Sequence, residues 1–141
     1  MSIIVHIDGL CEPVNPGGTA TFGYDIQDSD GTVLARKSGS VGKGPRMSNN
    51  VAEYAALCEA LEYLLRERRA ESDVEIRSDS TLVVNQMSGK WKSRNGLYTE
   101  KYLQALRLRD KFKHLRFRWV PRENNEEADA LSIEAYAKSS R

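Results

Sequence analysis

The sequence has few of the residues that build cross-linked or zinc-bound folds. Its 141 residues include only two cysteines, Cys11 and Cys58, too few for a disulfide framework or a cysteine-based zinc site. No apolar run approaches the roughly 20 residues that span a bilayer. The N-terminus also lacks the basic region, long apolar segment and small-residue cleavage site of a secretory signal. These absences predict a protein of the reducing cytoplasm without a membrane anchor.

What the sequence does contain is the balance of a folded domain, with 40% hydrophobic and 29% charged residues. The length predicts one domain over residues 1–141. The net charge of +1 conceals a basic segment, because residues 86–122 hold eleven lysine and arginine residues against Glu100 and Asp110, a net of +9. Such a segment suits a polyanion, although solvated helix surfaces carry similar charges.

Alternating apolar residues and turn clusters predict the element order β-β-β-α-β-α-α-β-α. The predicted strands cover residues 3–9, 19–27, 32–41, 74–78 and 115–120. A long helix is capped at 48–50 and ends near Arg69, and further helices cover 80–87, 97–111 and 124–137. Three consecutive strands followed by alternating helices and strands predict a mixed α/β sheet with helices on its faces.

Four acidic residues stand in different settings within this plan. Asp8 ends the first strand, Glu53 lies in the long helix, Asp79 closes the fourth strand and Asp129 lies in the last helix. Carboxylates at strand ends and on flanking helices are how a mixed fold gathers oxygen ligands for magnesium. Each also has an ordinary explanation, since Asp8 suits a turn, Asp79 a helix cap and Glu53 a solvated helix position.

Asp129 is the least ordinary of the four acids. Helical spacing places it on one face with Ile133 and Tyr136, whereas Glu127 and Glu134 lie on the other side. A carboxylate on a partly apolar face needs a partner or a metal, because an unpaired buried charge is costly.

Four motifs around these acids resemble those of type 1 ribonuclease H, in that family's order and across essentially the whole chain. They are Asp8-Gly9 with Asn15-Pro16-Gly17-Gly18, Ser48-Asn49-Asn50-Val51-Ala52-Glu53, Asp79-Ser80, and Asn125-Glu126-Glu127-Ala128-Asp129-Ala130-Leu131. The sequence most resembles the compact archaeal and bacterial branch. The resemblance implies a ribonuclease H-like fold whose five-stranded sheet has three antiparallel strands followed by parallel ones.

The resemblance also implies a function, which is hydrolysis of the RNA strand of RNA/DNA hybrids to give 3′-hydroxyl and 5′-phosphate ends. By motif position, Asp8, Glu53, Asp79 and Asp129 would bind two Mg²⁺ ions, with Mn²⁺ as a substitute, on either side of the scissile phosphate. Carboxylate oxygens suit these cations, and neither histidine nor cysteine is required. We expect a monomer with no protein partner.

Polar residues near the acids are expected to hold the substrate. In the family, the asparagines of the opening loop and helix start face the minor groove, a role that falls here to Asn15, Asn49 and Asn50. They would distinguish RNA by its 2′-hydroxyl. Ser48 would help to hold a DNA-strand phosphate. As helix-capping residues alone, Ser48, Asn49 and Asn50 would already make sense.

The sequence departs from many family members at two places. No histidine occupies the loop before the last helix, where Arg122 is the candidate replacement, able to steady phosphate charge but not to act as a general base. A basic helix and loop found in some relatives is shortened here to residues 87–94. This stretch still supplies Lys90, Trp91, Lys92 and Arg94 for substrate binding. We expect weaker substrate affinity with the chemistry retained, and no separate N-terminal hybrid-binding domain.

Two other functions remain open at this point. A non-catalytic domain binding hybrids or double-stranded RNA would use the basic segment, although it gains nothing from carboxylates beside phosphate. An exonuclease on the same fold is disfavoured by the Ser48-Asn49-Asn50 run and by the lack of extra domains. The prediction is therefore an endoribonuclease.

Overall fold

The computed structural model describes residues 2–139, and its strands and helices follow one another in the predicted order. The strands are β1 (Ser2–Glu12), β2 (Thr19–Asp28), β3 (Val33–Lys43), β4 (Asp73–Ser78) and β5 (His114–Trp119). The α-helices are α1 (Asn49–Arg66), α2 (Thr81–Met87), α3 (Thr99–Arg109) and α4 (Glu126–Ser139).

The five strands form one mixed sheet in the order β3-β2-β1-β4-β5. β1 and β3 each pair antiparallel with β2, whereas β4 runs parallel to both β1 and β5. This arrangement confirms the predicted mixed sheet. The register pairs His6 in β1 with Arg77 in β4. Asp8 and Asp79 each lie two residues further along the chain, so they are neighbours at the C-terminal end of β4.

Helices cover the two faces of the sheet unequally. α1 packs on one face against β1 and β2, and α3 packs on α1, enclosing a core that includes Val5, Ile7 and Leu61. α4 crosses β1, β2 and β3 on the other face. α4 can approach β2 closely because Gly23 has no side chain. A Cβ at this position would lie 2.6 Å from the Ala128 carbonyl oxygen. Within residues 2–139, none of the helices combines the length and the hydropathy needed to span a bilayer.

Several element ends differ from the sequence predictions. α1 was predicted to reach Arg69 but ends at Arg66, and Arg68 has φ of 57°, a left-handed conformation that cannot continue the helix. β1 extends three residues beyond Gly9, because its end pairs with the start of β2. The prediction that α4 begins at residue 124 was also wrong. Residues Arg122–Asn124 form a separate 3₁₀ turn, and α4 begins at Glu126.

Candidate active site

Three carboxyl groups from three different elements converge near the middle of the sheet, beside the C-terminal end of β4. Asp8 lies in β1, Glu53 in the second turn of α1, and Asp79 directly after β4. One oxygen from each lies within 4.8 Å of one from each of the others. Asp8 and Glu53 are buried and Asp79 is partly buried. Residues that are distant in sequence thus form one acidic group, called here the acid cluster.

The close approach of β1 to α1 depends on a glycine. A Cβ at Gly9 would lie 2.4 Å from the Ala52 carbonyl carbon and 2.5 Å from the Glu53 backbone nitrogen, far inside van der Waals contact. The Gly9 backbone amide also hydrogen bonds to the Glu53 carboxyl group. The absence of a side chain at Gly9 therefore allows Glu53 to reach Asp8.

Burial makes the acid cluster electrostatically costly. The pKa of Glu53 is raised well above its ordinary value, first by burial and then by the neighbouring Asp8. Burial also raises the pKa of Asp8 to about 7, against a hydrogen bond with Glu53 and with help from the carboxyl groups of Asp129 and Asp79. The pKa of Asp79 is raised by burial and by Asp129. The three groups resist being ionised together without a compensating charge.

Asp129 faces the acid cluster but is not part of it. It lies in the first turn of α4 and lines the same open cavity of about 610 Å³ as the cluster. Ile133 and Tyr136 line this cavity too, as helical spacing predicted. Arg122 also lines the cavity, and its Nη2 lies 3.6 Å from Asp129 Oδ2. Asp129 therefore has an ion-pair partner, whereas the three acids of the cluster have none among residues 2–139, although the charge of Arg122 also acts to lower the pKa of Asp79, against the burial that raises it.

The acid cluster fits a divalent cation by its donor atoms and by what it lacks. Its ligand atoms are all carboxylate oxygens, the donors that Mg²⁺ and Mn²⁺ prefer. Glu53 Oε2 is buried and has no hydrogen-bond partner among residues 2–139. No lysine or arginine in the described chain lies within salt-bridge distance of Asp8, Glu53 or Asp79. A bound cation would satisfy the unpaired oxygen and offset the repulsion.

Comparison with known proteins identifies the family. Residues 7–135 match the family model described as reverse transcriptase-like. The crystal structure of LC11-RNase H1, an enzyme isolated from compost, in complex with an RNA/DNA hybrid superposes with a TM-score of 0.88 at 35% identity, covering 99% of both chains. The chain belongs to the type 1 ribonuclease H family. The predicted family and its fold are thereby confirmed.

Two curated relatives of this ribonuclease H chain are longer than it is. The bifunctional protein Rv2228c of Mycobacterium tuberculosis is 37% identical over 136 residues, which make up 96% of this chain and 35% of the relative. The ribonuclease HI of Halobacterium salinarum is 37% identical over 121 residues, or 86% of this chain and 58% of the relative. The chain thus spans about a third and somewhat over half of these relatives.

The structure brings two of the four predicted polar substrate-binding residues to the cavity that holds the acid cluster. Asn15 and Asn49 line the cavity and hold each other, since Asn15 Nδ2 donates to Asn49 Oδ1 and the Asn49 backbone amide donates to Asn15 Oδ1, both at 2.9 Å. Ser48 caps α1 by accepting from the Val51 amide at 3.2 Å. Ser48 and Asn50 do not line this cavity. The Asn15–Asn49 pair is therefore the part of this set that lines the cavity.

The predicted binding residues 90–94 lie in an exposed loop between α2 and α3, outside the cavity. The side chains of Lys90, Lys92 and Arg94 make no ion pair with any described residue, and Trp91 is 48% exposed. Some other cations of the basic segment are already engaged. Arg116 contacts Asp73 and Glu75, Lys113 contacts Glu71, and Arg109 contacts Asp110. The segment is thus not a uniform basic surface, and the loop holds unpaired charge.

Two residues that sequence reasoning did not single out support the acids from behind. Asn125 is fully buried, and its Nδ2 donates to the Ile7 carbonyl oxygen at 2.8 Å, one residue before Asp8. The backbone carbonyl oxygen of Asn125 accepts a hydrogen bond from the Asp129 backbone amide at 3.1 Å. Trp119 Nε1 donates to the Asp79 carbonyl oxygen at 3.1 Å. Asn125 belongs to the closing motif, which was the available signal for it, whereas nothing in the sequence distinguishes Trp119.

Proposed function

We propose that this protein is a metal-dependent ribonuclease H that cuts the RNA strand of RNA/DNA hybrids internally, leaving 3′-hydroxyl and 5′-phosphate ends. The observation that carries the proposal is the convergence of Asp8, Glu53 and Asp79 within 4.8 Å in an open cavity. It is supported by the family membership and by LC11-RNase H1, whose structure was solved with an RNA/DNA hybrid.

The acid cluster is the proposed cation site, with Asp8, Glu53 and Asp79 as ligands and Asp129 as the fourth. Two Mg²⁺ ions are proposed, with Mn²⁺ as a substitute. When bound, such ions supply a water of lowered pKa and neutralise charge on the departing oxygen. The protein's contribution is a set of fixed oxygens, because the three elements that carry the cluster are held rigidly together.

Other residues around the cavity are proposed to bind and orient the hybrid. The linked amides of Asn15 and Asn49 would offer hydrogen bonds to base edges and 2′-hydroxyls in the minor groove. Ser48 and Asn50, at the start of the same helix, are proposed to act with them. Arg122 would place its guanidinium against a phosphate next to Asp129, where it can stabilise negative charge but not remove a proton.

We further propose that Lys90, Trp91, Lys92 and Arg94 contact the hybrid away from the scissile bond. Unpaired exposed cations are the groups that gain most from a phosphate backbone. Residues 1–141 are proposed to form one domain that acts as a monomer in the cytoplasm.

An end-labelled RNA/DNA hybrid incubated with the protein and Mg²⁺ tests the proposed function. Cuts inside the RNA strand are expected, with products that a polymerase can extend from their 3′-hydroxyl ends. Asp8→Asn and Asp79→Asn should each reduce the rate by more than about a hundredfold, whereas Glu134→Gln, on an exposed part of α4, should not. Degradation from one end would indicate an exonuclease. Retention of the hybrid without cleavage would indicate a binding domain.

A further inference from the structure

A buried chain of polar groups joins α1 to the loop of residues 88–98. The Tyr54 hydroxyl donates to Gln86 Oε1 at 2.5 Å, and Gln86 Nε2 donates to the Tyr98 hydroxyl oxygen at 3.0 Å. The Tyr98 hydroxyl then donates to the Arg94 carbonyl oxygen at 3.0 Å. Tyr54 and Gln86 are 0% and 3% exposed. These hydrogen bonds therefore connect the protein core continuously to the backbone of an exposed loop.

Ring packing fixes the direction of this chain. Tyr98 stacks on Tyr54 with ring centroids 5.7 Å apart and planes 13° from parallel, and Tyr102 meets Tyr54 edge-on at the same distance. Such aromatic contacts stabilise the fold by more than the burial of their apolar surface alone. The Tyr98 hydroxyl is thus held at one position on the surface of α1, facing the loop.

The loop is anchored at its other end as well. The Asn85 carbonyl oxygen accepts from the backbone amides of Lys90 at 2.9 Å and Trp91 at 3.0 Å. Residues 90–94 are therefore suspended between Asn85, at the end of α2, and Tyr98, at the start of α3. This span contains the three unpaired cations described above and the half-exposed Trp91.

We propose that the Tyr54–Gln86–Tyr98 chain positions this loop so that Lys90, Lys92 and Arg94 meet the phosphate backbone of a hybrid, a proposal that rests on the proposed function. A loop that is already ordered loses less conformational entropy on binding than a mobile one. Tyr98 acts through the Arg94 carbonyl group and does not itself contact substrate. Because Tyr54 follows Glu53 in α1, one helix sets both the acid cluster and the loop.

Tyr98→Phe tests the proposal, because it removes the hydroxyl group while keeping the ring that stacks on Tyr54. The matched control is Tyr63→Phe, whose hydroxyl donates to the Leu34 carbonyl oxygen at 3.3 Å near the other end of α1. Tyr98→Phe loses two hydrogen bonds, one from Gln86 and one to Arg94, whereas Tyr63→Phe loses one, so Tyr98→Phe should show the lower melting temperature of the two. In Tyr98→Phe, trypsin should cut after Lys90, Lys92 or Arg94 about fivefold faster, the factor that corresponds to about 1 kcal/mol for one hydrogen bond.

Steady-state kinetics on a hybrid provide the second measurement. Tyr98→Phe should raise KM about threefold to fivefold and leave kcat unchanged, since the acid cluster is untouched. Tyr63→Phe should change neither parameter nor the rate of tryptic cleavage in the loop. A role of Tyr98 in stability alone would lower the melting temperature of Tyr98→Phe without raising its KM above that of Tyr63→Phe.

Three results would overturn the proposal. They are an unchanged tryptic rate in Tyr98→Phe, a faster tryptic rate with an unchanged KM, and a reduced kcat at constant KM. If the wild-type protein cuts no hybrid, the proposed function fails instead. The positioning proposal is then decided by gel retardation of a hybrid in EDTA, where it requires Tyr98→Phe to bind more weakly than Tyr63→Phe.

Discussion

Replacing Glu53 by glutamine should stabilise the metal-free protein while destroying its ability to bind a divalent cation. Glu53 is buried, its Oε2 has no hydrogen-bond partner among residues 2–139, and its pKa is raised well above the ordinary value by burial and by Asp8. At pH 8, folding therefore requires either an ionised carboxyl group in this environment or the uptake of a proton. An amide of the same shape requires neither.

The size of the effect follows from the contacts of Glu53. The amide of the introduced glutamine can donate a hydrogen bond to the Asp8 carboxylate, and hydrogen bonds to charged groups contribute about 1.5–3 kcal/mol. We therefore expect Glu53→Gln to raise the free energy of unfolding by about 2 kcal/mol at pH 8 in EDTA, and the melting temperature by about 4–8 °C. Glu59→Gln, on the partly exposed face of the same helix, should change stability little.

Urea unfolding with and without Mg²⁺ measures both parts of this prediction. Mg²⁺ at tenfold its dissociation constant should stabilise the wild-type protein by about 1.4 kcal/mol and the Glu53→Gln variant hardly at all. The advantage of the variant should therefore shrink as Mg²⁺ is added, and calorimetry should detect cation binding to the wild type only. If Glu53→Gln destabilises the metal-free protein, or if it binds Mg²⁺ as well as the wild type, the acid cluster is not a repulsive cation site.

Three further predictions concern other parts of the structure. Gly9→Ala should destabilise the protein by about 3 kcal/mol in urea unfolding, because its methyl group would overlap the α1 backbone; a loss below about 1 kcal/mol would contradict this. Glu75→Gln should cost about 1–2 kcal/mol at pH 7 and less at pH 3 than at pH 7. Burial alone would raise the pKa of Glu75, but hydrogen bonds from Arg77 and Arg116 outweigh it and lower that pKa. The stabilisation by these ion pairs is therefore complete at pH values above the ordinary pKa of a glutamate. It is lost as the pH falls through the lower pKa of Glu75 in the folded protein. Equal losses at both pH values would refute it, and Glu71→Gln, in an exposed ion pair, serves as the control. Replacing Lys90, Lys92 and Arg94 together by alanine should reduce the salt dependence of hybrid binding by a slope of about two to three, whereas Lys113→Ala should leave the slope unchanged.

The order of the elements could be predicted because local patterns encode it. Alternation along β1 and the turn cluster after it depend on neighbouring residues only. Helix ends were predicted less accurately, because they depend on contacts that local patterns do not encode. Arg68 takes a left-handed conformation where the chain turns to bring β4 beside β1, and no residue near it in the sequence signals this turn.

Of the four acids predicted to converge, Asp8, Glu53 and Asp79 form the cluster and Asp129 lines the same cavity, whereas the environment of the cluster was less predictable. The motifs identified Asp8, Glu53 and Asp79 through their resemblance to a family, but helical spacing placed Glu53 only on a partly sheltered shoulder of α1. In the structure Glu53 is 6% exposed. Its burial results from the contact of Gly9 with α1, which joins segments more than 40 residues apart and leaves no periodic signal.

Counting charges along the sequence identified a basic segment but could not show which of its residues are free to contact a polyanion. The basic segment contains Lys113 and Arg116, whose partners Glu71 and Asp73 lie outside it in sequence. A count along the chain treats these residues and Lys90 alike. The sheet register separates them, because it places Asp73 opposite the start of β5. The residues that can meet a polyanion could therefore be chosen only from the fold.

The acid cluster persists despite its repulsion because the surrounding fold prevents it from relaxing. Parallel pairing fixes β1 beside β4, the bare Cα of Gly9 holds α1 against β1, and the buried amide of Asn125 joins the start of α4 to the residue before Asp8. Loosening any of these contacts would let the carboxyl groups separate and lower the cost of ionising them. It would equally reduce the gain from a bound cation, since that gain is the relief of the same repulsion. The rigidity that makes the metal-free site unfavourable is thus the property that would give it affinity for a divalent ion.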